Sequence, residues 1–220
     1  YFNNLMLGSF DRVEVLKWAQ SSLYGSGALA GTVHLFSKKG REGHNKDAAV
    51  STGSFNTRKI DLSFDGKNNY YDYFIGLTNF STDGESAMRD NSENDGYRSD
   101  SLTMNYGYTF NKHFRVENYL YYNDSLLEYD SVNKSQNDLE ATDDQQAIYT
   151  GRIINTNGNF KNTLSYNNTY ILRNTTGNDK KNYYGYRDAI NVMSEYNFDL
   201  DNRIIFGFDN EFDKAELYNY

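Results

Sequence analysis

From Ala48 onward the chain is written in runs where apolar and polar residues alternate. Ile60, Leu62 and Phe64 are separated by Asp61 and Ser63. Leu102, Met104, Tyr106, Tyr108 and Phe110 are separated by Thr103, Asn105, Gly107 and Thr109, and Ile204, Phe206 and Phe208 keep the same beat. Period two places successive side chains on opposite faces of a strand, so each run has one apolar and one polar face. The pattern predicts strands at 47–54, 57–66, 69–80, 97–110, 114–127, 144–156, 160–173, 185–199 and 203–217. Several exceed the ~5–6 residues usual in soluble sheets and reach the ~9–11 that a tilted bilayer crossing needs.

The connections carry a second signal. After a tight turn at Ser54 to Asn56, short turns (Gly66 to Asn69, Asn111 to His113, Thr156 to Asn159, Leu200 to Asn202) alternate with long links (Ser81 to Gly96, Glu128 to Asp143, Asn174 to Tyr184). A meander whose long loops all lie at one end is the pattern of an outer-membrane barrel. A soluble sandwich or lectin-like stack is also turn-rich and alternating. Strand length and loop asymmetry weigh against it, and a long bare edge strand is an aggregation hazard in water. The fold class expected is all-β: a partial transmembrane antiparallel β-barrel of about nine strands, with a non-barrel leader.

Composition fits that expectation. The 220 residues include 21 Tyr, 14 Phe, one Trp, no Pro and no Cys, and the mean hydropathy is −0.83. Aromatic residues at 16% do not suit disorder. No stretch approaches the ~18–20 apolar residues of a membrane helix, but a barrel strand faces lipid with only every second residue. A net charge of −8 argues against nucleic acid as a partner, because phosphate binding needs clustered Lys and Arg. Tyr1 to Leu5 carries no secretory leader pattern and reads as an entry into mid-domain, so a fragment is expected.

The leader itself is specific. Residues 11–40 read DRVEVLKWAQSSLYGSGALAGTVHLFSKKG: a short alternating run, a Ser/Gly-rich turn, and a second β-like run ending on Lys38-Lys39. This text resembles the closing segment of the plug domain of TonB-dependent outer-membrane receptors, a phrase like (E/D)R(I/V)EVLRGPxSxLYGxxAxGGxI(N)IxTK. Asp11, Arg12, Val13, Glu14, Val15, Leu16, Ser22, Leu23, Tyr24, Gly25, Ala28, Gly31 and Lys38 match it in order and spacing. Trp18-Ala19 stands where the family has Gly-Pro, and Ala30 replaces the first glycine of a pair. The resemblance implies a division into 1–40, the C-terminal part of a plug; 41–47, a connector; and 48–220, the N-terminal part of a barrel that in the family has about 22 strands. It also implies uptake of a scarce, large ligand across the outer membrane of a Gram-negative bacterium, powered by the TonB complex, whose contact region lies outside this stretch. Outer-membrane lipid is the remaining partner.

Enzymatic chemistry has little support. The three histidines, His34, His44 and His113, fall on a leader strand, the connector and a short turn, so no triad or zinc site assembles. The acidic long links hold more. Asp83, Asp90, Asn91, Glu93, Asn94 and Asp95-Gly96 crowd one, and Tyr129-Asp130, Asp138, Glu140 and Asp143-Asp144 the next. Carboxylates and amide carbonyls are the ligands calcium takes, six to eight at a time. Such loops also serve simply as solvated surface, and composition alone favours that reading. As an EF-hand the first cluster fails, because Leu102 stands where the terminal Glu belongs.

The same links resemble the calcium-ordered outer loops of the cobalamin (vitamin B12) transporters within that family. There an early Asp, a TDNDGF-like string and a Tyr-Asp pair recur; here they read Asp83, Ser92 to Tyr97, and Tyr129-Asp130. The resemblance implies Asp83, Asn91, Glu93, Asp95, Tyr129, Asp130 and Asp138 as calcium ligands, and Ser131 as a substrate contact. Glu93 departs from the family's Asp by one methylene. A ferric siderophore, haem or other metal-chelate receptor is the alternative in the same architecture; a passive porin or soluble β-rich adhesin is a more distant one. Tyr70, Tyr71, Tyr73, Tyr119, Tyr121, Tyr122, Tyr183, Tyr184, Tyr186 and Tyr196 are expected near strand ends as interfacial girdles.

Overall fold

Every strand expected from alternation is present in the computed structural model, which describes residues 5–19, 28–86, 94–130, 139–176, 181–199 and 202–219. One turn of 3-10 helix, Leu7–Ser9, leads into β1 (Phe10–Lys17), which pairs antiparallel with β2 (Gly31–Ser37) as a two-stranded sheet. The second sheet has nine strands: β3 (Gly43–Thr52), β4 (Arg58–Lys67), β5 (Tyr71–Thr82), β6 (Tyr97–Thr109), β7 (Phe114–Asp130), β8 (Leu139–Asn157), β9 (Phe160–Thr176), β10 (Lys181–Asn197) and β11 (Arg203–Asn219). Spatial order equals chain order, and each neighbouring pair is antiparallel. This is the all-β meander that the alternation predicts. Among the described residues no helix is long and apolar enough to cross a membrane.

Three boundaries differ from the expectation. β3 begins at Gly43, so His44 belongs to a strand rather than a connector, and its Nδ1 lies 3.0 Å from the Tyr73 hydroxyl. β7 and β8 continue pairing to Asp130↔Leu139, which puts Glu140, Asp143 and Asp144 in a strand and shortens that link to 131–138. β9 and β10 likewise pair to Thr175↔Lys181, leaving a link of 177–180. Ladder bonds are satisfied whatever the side chain, so polar residues extend the strands past the point where apolar alternation ends.

The short turns are fixed by side chains. The Asn68 Oδ1 accepts from the Tyr70 and Tyr71 amides at 2.8 and 2.9 Å, and the Asn111 Oδ1 from the His113 and Phe114 amides at 2.8 and 3.1 Å. Asn holds such turns by imitating a backbone carbonyl.

The two faces of the nine-stranded sheet differ as the alternation requires. The inner face, which carries the β1–β2 hairpin, is polar and buried: Ser99, Thr103 and Asn123 have no exposure, and Ser101, Asn105, Ser125, Asp144 and Gln146 very little. The outer face exposes Ile60, Leu62, Phe64, Leu77, Met104, Tyr106, Leu164, Val192, Phe206 and Phe208. This inverts a soluble protein, whose apolar face would be covered. Three tyrosines expected in a girdle go inward instead: Tyr119, Tyr121 and, through its register with Arg173 and Asp144, Tyr183. Tyr121 lies mid-strand on β7, fully buried, its hydroxyl accepting from the Met6 amide at 3.2 Å, and Tyr119 shares that face by alternation.

Candidate functional site

Two regions stand out: the strap that fastens the hairpin to the inner face, and the rim at the long-link end. The strap is built where the chain leaves β2. The Asn105 side-chain amide donates to the Ser37 hydroxyl at 2.9 Å and to the Lys38 carbonyl at 3.1 Å. The Lys39 ammonium meets Glu117 at 3.0 Å, and the same Glu117 oxygen accepts from the Arg115 Nε at 3.0 Å. Arg115 continues to Asp72 through a short contact and to the Thr109 hydroxyl at 3.0 Å.

The next turn of chain is held by Asp65, which is 2% exposed. Its carboxylate accepts the Arg41 amide at 2.8 Å, the Arg41 guanidinium at 2.6 to 3.2 Å, and the Asn45 amide at 3.3 Å. Asp65, with Asp47 beside it, holds the Arg41 guanidinium well above its ordinary pKa. A buried carboxylate persists only with such donors. Between Lys39 and Arg41 the backbone passes so close to β4 that a Cβ on Gly40 would lie 2.0 Å from the Gly66 carbonyl oxygen. Only glycine fits there. Above the strap, a cavity of about 900 Å³ separates β2 from β6–β8, lined by His34, Phe36, Tyr119, Gln146, Thr150 and Arg152 among others.

The rim gathers half of the residues that the sequence singles out. Register sets Thr82 beside Tyr97 and Tyr97 beside Leu127, so Asp83, Asp95, Tyr129 and Asp130 share the top of β5–β7. Gly84, at φ 69°, lies against the Asp95 carbonyl, bringing Asp83 alongside Asp95. Glu128 and Gly96 exchange two bonds: the Glu128 amide donates to the Gly96 carbonyl at 2.9 Å, and the Gly96 amide to Glu128 Oε2 at 3.1 Å. The Ser86 hydroxyl donates to Asp130 at 3.1 Å. Asn91, Glu93, Ser131 and Asp138 lie outside the described residues. Among the described residues, no group of three or more His, Cys, Asp or Glu converges tightly enough to hold a metal. Tyr129 and Asp130 are strand neighbours, so their side chains point to opposite faces and one ion takes only one of the two. Among the described residues of the rim, oxygen is nonetheless the only side-chain donor type offered, which suits a hard cation and not a soft one.

Sequence reasoning missed Asp65, Asp72, Asn105, Arg115 and Glu117. Asp72, Asn105 and Arg115 sit between apolar or aromatic neighbours on alternating strands, so the inward face was legible there; Asp65 and Glu117 have such a neighbour on one side only. Their convergence on Lys39 and Arg41, up to 78 residues away, was not.

No protein-family model matches the chain. The vitamin B12 transporter BtuB of Vibrio vulnificus (strain CMCP6) is 29% identical over 141 residues, covering 61% of this chain and 22% of the transporter. The alcaligin outer-membrane receptor FauA of Bordetella pertussis superposes with a TM-score of 0.81 at 13% identity, over 97% of this chain and 35% of its own. The pyoverdine receptor FpvA of Pseudomonas aeruginosa PAO1 gives 0.79 at 12% identity, covering 97% and 37%. For the siderophore receptor PiuA of Acinetobacter baumannii the values are 0.75, 14%, 96% and 36%. At these identities the structural likeness is one of fold. The chain spans well under half the length of each of these relatives.

Proposed function

Taking as premise that this chain is a stretch of a TonB-dependent outer-membrane receptor, we propose that the whole receptor imports cobalamin, with calcium ordering its outer loops. The 29% identity to a vitamin B12 transporter carries this reading. The clustering of Asp83, Asp95 and Asp130 at one rim supports it. In this reading the β1–β2 hairpin is the closing piece of the plug, residues 41–42 and the start of β3 are the connector, and the nine-stranded sheet is the first part of the barrel. The long-link end faces outward from the cell, as outer-membrane barrels place their longer loops.

Ligand binds between the outer loops and the plug, and the energised TonB complex then acts on the plug. The strap formed by Asn105, Glu117 and Asp65 keeps the hairpin's exit fixed to the barrel wall while the rest of the plug rearranges. Calcium would be held by Asp83, Asn91, Glu93, Asp95, Asp130 and Asp138, with Tyr129 offering its carbonyl. Bound there, it would neutralise carboxylates that otherwise repel one another and so order the loops. Ser131, one residue beyond Asp130, would meet the ligand.

Labelled-cobalamin uptake by cells producing the full-length receptor tests this. Energised uptake that stops when the TonB complex is removed is expected. Uptake of a ferric siderophore with none of cobalamin would replace this ligand with the alternative. The fold shared with alcaligin and pyoverdine receptors makes that alternative specific.

A further inference from the structure

On the inner face of β8–β11, beyond the hairpin, four polar side chains form a continuous ladder. The Thr150 hydroxyl donates to Asn167 Oδ1 at 2.9 Å, the Asn167 amide to Asn191 Oδ1 at 2.6 Å, and the Asn191 amide to Asp209 Oδ1 at 2.6 Å. One step is diagonal to the register: Asn167 stands opposite Ala189, yet its bond runs to Asn191, two residues nearer the short turns. Barrel strands tilt, so this diagonal keeps the ladder level around the wall. Thr150 lies seven residues before Asn157, Asn167 seven after Phe160, Asn191 six before Asn197 and Asp209 six after Arg203. On β7 the matching position, seven residues after Phe114, is Tyr121.

The two halves of the wall differ in what they bond. On β6 and β7, Asn105 donates to the Lys38 carbonyl and Tyr121 accepts from the Met6 amide, so the wall under the hairpin is tied to hairpin backbone and its leader. On β8–β11 the bonds run from wall to wall. A polar group needs a partner when it is covered, and here the strands supply one another. Separation at β4–β7 breaks the bonds of Asp65, Asn105 and Glu117, whereas separation at β8–β11 leaves the ladder whole. Each ladder Asn uses one amide N–H and one lone pair, and its side chain has a second of each to offer a passing amide or hydroxyl.

The arginines of this wall are compensated. Arg173 and Asp144 meet at 2.6 Å, Arg187 and Asp213 at 2.6 Å, Arg203 and Glu195 at 3.8 Å, and Arg152 reaches Glu117 on β7 at 4.0 Å. Beside the ladder stand two further carboxylates: Asp209, which ends it, and Glu211, opposite Ala189. A lining of this kind favours cations and repels polyanions. Resting on the import reading above, we propose that the transported ligand passes the plug along the β8–β11 wall, and that this wall admits an uncharged, amide- or hydroxyl-bearing ligand in preference to a polyanionic chelate. The strap is the side that stays fixed, and the ladder is the side that parts.

Planar-bilayer recording from the full-length receptor tests this, with urea added below global unfolding to loosen the plug and potassium chloride as the only permeant probe. A cation-selective conductance is expected. In a cysteine-free background, a trimethylammonium-bearing methanethiosulfonate reagent should cut it at least about twofold in Asn167→Cys and in Asn191→Cys. The same reagent should leave Ser63→Cys, on the inner face of β4 near the strap, unchanged. Asp209→Asn/Glu211→Gln should lower the cation preference by a similar factor. Equal block at Ser63→Cys, or none at the two ladder positions, would overturn the path, and anion selectivity would overturn the ligand class. Absence of any conductance before unfolding would also overturn it, because the plug would then hold to this wall as firmly as to the strap. The reagent acts after insertion, so a folding defect cannot imitate the block. No transported ligand is present, so the cobalamin reading stands or falls separately in the uptake assay.

Discussion

Trp18 holds a backbone φ of 78° and is 82% exposed. That region of conformational space disfavours residues with a Cβ by about 1–2 kcal/mol, and it explains why the resembling phrase has glycine at this position. The substitution Trp18→Gly should stabilise the hairpin by roughly 0.5–1 kcal/mol after the greater chain entropy of glycine is counted. Thermal unfolding of the full-length receptor reads this out. At Asp65 the effect runs the other way. Asp65→Ala removes the acceptor for the Arg41 amide and guanidinium and the Asn45 amide, and should cost about 1–3 kcal/mol. Faster amide exchange at Arg41 would accompany it. Trp18 was visible in the sequence as a departure from a motif, yet its reason lay in a dihedral angle that text does not carry. Asp65 was one more polar residue in an alternating run. What makes it important is that the chain returns over it at Arg41, a tertiary event.

Strands β3–β11 were readable because an apolar and a polar face impose period two, and lipid on one side with a polar interior on the other keeps that period strict. Their ends were less readable, since pairing at Asp130↔Leu139 and Thr175↔Lys181 needs no apolar pattern. Tyr121 shows the same limit from another side: its type suits a girdle, but its odd position on β7 turns it inward against Met6. The face assignment makes a sharp prediction. Met104→Lys, on the outer face of β6, should destabilise insertion by about 2–4 kcal/mol if it lies near the bilayer midplane. Ser165→Lys, on the inner face of β9, should cost far less. Folding titrations into liposomes compare the two directly, and equal losses would contradict the assignment of faces.

For the whole molecule, hairpin and sheet together fix a direction. The strap at Lys39, Gly40 and Arg41 lies at the short-turn end, beside Gly66 and Glu117, while the acidic rim lies at the opposite end of the same strands. Gly40→Ala tests the strap without touching charge: the added Cβ has no room beside the Gly66 carbonyl, so the hairpin should loosen and protease cleavage between residues 37 and 43 should accelerate. The rim was legible in the sequence as an acidic cluster, and its shared location follows from register. Isothermal titration of cyanocobalamin into the full-length receptor, with calcium and then with excess chelator, tests the central claim most directly. Tight binding that weakens at least about tenfold on chelation is the predicted result. Absence of cobalamin binding in both conditions, or binding unchanged by the chelator, would contradict it.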